Sequence, residues 1–108
     1  MNNAGIQQRY HILKTDAKDN WARYSKEIAV NLEAPLHLAM LFAPYFAGKK
    51  TDAAIINVTS GLAFTPMAIA PIYSSTKAAL HSFTMSLRHQ LSETAVQVIE
   101  VAPPAVNT

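Results

Sequence analysis

The sequence contains no cysteine, which excludes disulfides and thiolate metal sites and leaves the redox compartment open. It has three glycines, Gly5, Gly48 and Gly61, so no G-x-x-x-G-x-G turn can be written anywhere in it. Without that turn, no nest of backbone N–H groups at a helix start is offered to a pyrophosphate. Charged residues are sparse, at 15%, and the formal net charge is only +2. The lysines (Lys14, Lys18, Lys26, Lys49, Lys50, Lys77) are scattered rather than striped, which argues against a nucleic-acid surface. The longest apolar stretch, Leu36 to Ala47, is interrupted by His37, Pro44 and Tyr45 and is too short to span a bilayer. The first apolar cluster is not N-terminal, so no signal peptide is expected, and a soluble cytoplasmic protein is the default. His11, His37, His81 and His89 lack ligand spacing. They read as surface or helix-flank residues, and no metal site is expected.

What is present points to one small α/β domain over residues 1–108. Half of the 108 residues are hydrophobic, enough for a modest core. Residues 7–18 read as loop, with Asp16 or Asp19 as N-cap of the first helix. Trp21, Tyr24, Ile28, Leu32, Leu36, Ala39 and Met40 recur at helical spacing, which predicts a long helix from about Asn20 to about Phe46. Its second half is apolar nearly all round and must be covered on every side. Pro35 has no N–H to give to the Asn31 carbonyl four residues back, which predicts a kink that frees that carbonyl. Gly48 reads as the helix cap. A buried strand is expected over Ala54 to Thr59, a helix from near Tyr73 to near Ser92, and a second strand over Val96 to Val101. Strand, helix, strand in that order is a βαβ unit with a parallel sheet.

The segment Ser60 to Lys77 carries the chemistry. Ser60 ends the buried strand, Tyr73 follows thirteen positions later, and Lys77 lies one helical turn beyond Tyr73. Open α/β sheets place their sites at such strand ends. A tyrosine ionises near pH 10 in model peptides (about 10.0), and a nearby ammonium favours its phenolate. Tyr73 can then exchange a proton with an alcohol or carbonyl, and Ser60 can hydrogen-bond the same oxygen. This set moves a proton and not a hydride, so redox chemistry would need a cofactor.

Ser60 with Tyr73-x-x-x-Lys77 resembles the signature of the short-chain dehydrogenases/reductases. Three further stretches agree in order: Asn2-Asn3-Ala4-Gly5, Asn31 in Val30-Asn31-Leu32, and Pro103 to Thr108, where Pro104 replaces the usual glycine. The resemblance implies an α/β, Rossmann-like, doubly wound parallel sheet, seen here in part as helix, strand, helix, strand. It implies NAD or NADP as cofactor and a small carbonyl or alcohol as substrate. Tyr73 is implied as general acid/base, Ser60 as orienting the substrate oxygen, and Lys77 as lowering the Tyr73 pKa and bonding the nicotinamide ribose. The Asn31 backbone is implied to hold a water in a proton relay. Asn3, Ala4, Gly5, Tyr73, Lys77, Pro103, Val106 and Thr108 are implied on the cofactor.

The family's glycine-rich turn and first βαβ unit should precede Asn2, where only Met1 stands. Two readings are open. One is a nicotinamide-dependent oxidoreductase. The other is a truncated, non-catalytic remnant, folded and oligomeric but unable to bind cofactor. Little or no cofactor binding is expected of this chain alone. A homodimer or higher oligomer is expected from the uncovered apolar helix faces, and the resemblance, whose corresponding helices often form a four-helix interface, implies the same.

Overall fold

The computed structural model describes residues 5–49, 52–61 and 68–103. Strands β1 (Ala53–Val58) and β2 (Val96–Val101) pair in parallel, in register from Ala53 opposite Val96 to Val58 opposite Val101. Helix α1 (Ala17–Ile28) passes through a π-helical turn, Ala29–Glu33, into α2 (Ala34–Ala47). Helix α3 (Pro71–Gln90) connects the two strands. A short 3₁₀ turn, Ile12–Lys14, interrupts the segment expected to be loop.

Local chemistry accounts for these boundaries. Asp16 is the N-cap of α1, its carboxylate accepting from the Lys18 and Asp19 amides. The predicted kink takes the form of the π turn, with the Ala34 N–H reaching back five residues to the Ala29 carbonyl. Pro35, which cannot donate to Asn31, follows at once, and such turns recur where a helix must widen. Gly48 caps α2 in a right-handed conformation.

One face of the sheet holds the core. Ile55, Val96 and Val98 meet Ala39 and Ala43 of α2 and Leu87 of α3, with Phe46, Phe83 and Leu91 packed around them. Along that same face the side chains change character toward the strand ends. Ile55 gives way to Asn57 and Thr59, and Val98 to Glu100, following the two-residue repeat of a strand. All of these except Glu100 are buried.

Helix α3 answers with a polar stripe. Lys77, His81, Thr84 and Arg88 recur at helical spacing beside the apolar row Leu80, Phe83, Leu87 and Leu91. Each reaches a strand: Lys77 Nζ donates to the Val58 carbonyl at 3.1 Å, His81 Nδ1 meets Glu100 at 2.8 Å, Thr84 Oγ1 accepts from Asn57 at 3.0 Å, and Arg88 Nε donates to the Val98 carbonyl at 3.1 Å. His81, expected at a surface or helix flank, is half-buried and hydrogen-bonded to Glu100. The buried Asn57 side chain and the Glu100 carboxylate thus find partners on the facing helix, as buried polar groups must.

Candidate functional site

The site forms where β1 ends and α3 begins. Pro71 opens α3, and its missing N–H costs nothing there. Tyr73 and Lys77 then fall one turn apart. Lys77 is buried, 5% of its surface remaining exposed, and burial pushes its pKa down from the ordinary lysine range. Its ammonium lies 5.7 Å from the centre of the Tyr73 ring and bonds the Val58 carbonyl, two residues before Ser60. Ser60 is itself buried. The ladder between the strands continues past β1, with the Thr59 N–H donating to the Val101 carbonyl at 2.8 Å and the Gly61 N–H to the Pro103 carbonyl at 2.7 Å.

The N-terminal segment closes the third side. Asn31, in the π turn, is fully buried and exchanges two hydrogen bonds with Ile6: the Ile6 N–H donates to Oδ1 and Nδ2 donates to the Ile6 carbonyl, each at 2.6 Å. Nδ2 also approaches Thr76 Oγ1 at 3.4 Å, and that hydroxyl donates to the Tyr73 carbonyl at 2.7 Å. One turn before Asn31, Glu27 accepts from the Gln8 N–H. Two helix side chains thus hold alternate residues of an extended segment, as a neighbouring strand would. Tyr10 continues the series, its N–H donating to the Ile69 carbonyl at 2.8 Å while its ring stacks on Tyr24 at 4.3 Å.

This anchoring sets Gly5 against Asn31 and Lys77. A methyl group added at Gly5 would sit 3.5 Å from Asn31 Oδ1 and 3.9 Å from Lys77 Nζ. Both are ordinary contact distances, so Gly5 lies directly beside the Asn31 amide and the Lys77 ammonium.

Of the residues singled out from sequence, the structure gathers Gly5, Asn31, Ser60, Tyr73 and Lys77 around this corner, and Pro103 accepts from Gly61 beside it. Asn3, Ala4, Val106 and Thr108 lie outside the described residues. Sequence reasoning missed Glu27, Thr59, Thr76, His81 and Glu100. The signal for Thr59 and its partners was available, since Asn57 and Thr59 put polar side chains on alternate positions of a buried strand. Among the described residues, no group of three or more acidic, histidine or cysteine side chains is arranged to hold a metal ion. No helix among them is long and apolar enough to cross a membrane.

Comparisons with known proteins place the chain in a family. A family model described as short chain dehydrogenase matches residues 1–108. An uncharacterized oxidoreductase of Bacillus subtilis, DltE, is 51% identical over 108 residues, which are all of this chain and 42% of that protein. The L-xylulose reductase of Caenorhabditis elegans is 30% identical over the whole chain, covering 41% of the relative. The chain thus spans about two fifths of the length of these relatives. Among solved structures, a short-chain dehydrogenase/reductase from Burkholderia phymatum in complex with NAD superposes with a TM-score of 0.85 at 27% identity, over 97% of this chain and 37% of that one. One from Burkholderia cenocepacia in complex with NADP gives 0.80 at 29% identity, over 98% and 44%.

Proposed function

The chain belongs to the short-chain dehydrogenase family, and on that premise we propose that it forms the catalytic part of a nicotinamide-dependent oxidoreductase acting on a small carbonyl or alcohol. The observation that carries this reading is the convergence on Lys77: Gly5 and Asn31 on one side, the Val58 carbonyl just before Ser60 on the other, and Tyr73 one turn away. A bound nicotinamide supplies the hydride that no side chain here can give.

The chain's own residues handle the proton and the positions. Tyr73 gives its phenolic proton to the substrate oxygen in reduction and takes it back in oxidation. Ser60 donates a hydrogen bond to the same oxygen. Lys77 supplies the positive charge beside Tyr73, and its remaining N–H groups are available to ribose hydroxyls. Gly5, beside Lys77, is proposed to face that sugar, and Ala4, Asn3, Pro103, Val106 and Thr108 are proposed to line the rest of the cofactor. Asn31 is proposed to support the proton relay through its backbone carbonyl, while its side chain fixes Ile6.

The reading is tested by following nicotinamide consumption in the polypeptide that carries these residues, against a panel of aldehydes, ketones and, in reverse, secondary alcohols. Turnover that requires both cofactor and carbonyl supports it. Tight cofactor binding with no turnover on any member of the panel argues against it.

We also propose that the chain associates with a second copy of itself. Leu38, Met40, Leu41, Phe42 and Tyr45 of α2 and Met85 of α3 are exposed apolar side chains. These side chains are apolar surface that the described residues do not cover.

A further inference from the structure

We propose that His81, Glu100 and Thr59 act as a positioning chain for Ser60, fixing the register of α3 against the end of β1 so that Tyr73 and Ser60 address one substrate oxygen. The proposal rests on the proposed roles of Ser60 and Tyr73.

The chain of contacts is continuous. Thr59 Oγ1 donates to Glu100 Oε2 at 2.6 Å, and both carboxylate oxygens of Glu100 lie 2.8 Å from His81 Nδ1. His81 stands one turn beyond Lys77 and two beyond Tyr73, on the same stripe of α3. Thr59 immediately precedes Ser60, and its own N–H is pinned to Val101. Ser60 is therefore flanked by Thr59, held through both backbone and side chain, and by Gly61, held through its amide.

The physical need for such a device is plain. Besides the hydrogen bonds of Thr84 to Asn57 and of Arg88 to the Val98 carbonyl farther along α3, its contact with the sheet is made by Phe83, Leu87, Val96 and Val98, and apolar contact is non-directional. It tolerates a helix sliding by a fraction of a turn. Hydrogen bonds with charged partners are short and angle-dependent, and they do not. A misplacement of about 1 Å at a reacting group costs on the order of a hundredfold in rate. Close to the serine, Lys77 gives α3 one such tie, to the Val58 carbonyl. The Thr59–Glu100–His81 chain gives a second, on the residue next to the serine. Glu100 lies on β2, so the tie also locks the neighbouring strand to the same register.

The test is a double-mutant cycle. Thr59→Val keeps the shape and removes the hydroxyl, Thr59→Ser keeps the hydroxyl, and Ser60→Ala removes the group being positioned. Thr59→Val is expected to lower kcat about ten- to a hundredfold while leaving the nicotinamide KM nearly unchanged, and Thr59→Ser to restore the rate. In the Ser60→Ala background, Thr59→Val should have almost no further effect, because it acts through Ser60. An equal loss in both backgrounds overturns the positioning role and leaves the reading of Ser60 intact. Wild-type turnover by Ser60→Ala overturns both. Should Thr59→Val fail to fold, Glu100→Gln takes its place in the cycle with the same expected outcomes. Amide hydrogen exchange at Gly61 reads the same geometry without turnover. Exchange about tenfold faster in Thr59→Val supports the proposal, and an unchanged rate contradicts it.

Discussion

Asn31 and Ile6 bond each other twice, side-chain amide to backbone N–H and C=O, in the pattern by which one strand meets the next. A helix residue here completes a stretch of extended chain, and Gly5 is set against Lys77 as a result. Asn31→Ala would leave both Ile6 groups without this partner. The expected cost is about 1–3 kcal/mol of stability, read from denaturant unfolding. A variant as stable as wild type would show that the segment is held by other contacts.

Glu27 predicts a pH dependence. It is fully buried, one carboxyl oxygen accepts from Gln8, and the other, Oε1, has no hydrogen-bond partner among the described residues. Burial pushes its pKa above the ordinary carboxylate range, only partly opposed by the Gln8 amide. Folding then favours the protonated form. This stability is present in full at low pH and is lost as pH rises from the unfolded pKa of 4.5 through the higher folded value. Thermal unfolding across mildly acidic to neutral pH should show the decline, and Glu27→Gln should flatten it. A decline that persists in Glu27→Gln would assign it to other groups.

The exposed apolar row on α2 predicts self-association. Light scattering at low micromolar concentration should give a mass at least twice 11.8 kDa, and Phe42→Glu should lower it. A well-folded monomer with a melting temperature independent of concentration would contradict the proposal.

Much of this was legible in the sequence because period and punctuation are strong here. The pattern of Val96 to Val101, the helical spacing that starts near Tyr73 and the Asp16 cap set their elements to within a few residues of where they occur. The Ser60, Tyr73 and Lys77 pattern pointed to the end of β1 and the start of α3, where Lys77 lies beside Tyr73 and bonds the Val58 carbonyl. What escaped was long-range pairing of polar groups. Nothing local to His81 announces Glu100, nineteen residues on, and Glu27 looks like any exposed helix glutamate until residues 5–10 fold across it. The apolar row of α3 was visible, whereas the polar stripe beside it required knowing which strand positions faced the helix.

Carbonyl-dependent nicotinamide oxidation, compared between wild type and Tyr73→Phe in the polypeptide that carries these residues, tests the proposed chemistry most directly. Removing the phenolic proton should lower the rate about a hundred- to ten-thousandfold with cofactor binding retained. A Tyr73→Phe protein that turns over as fast as wild type would contradict the account, because it would take the tyrosine out of the reaction.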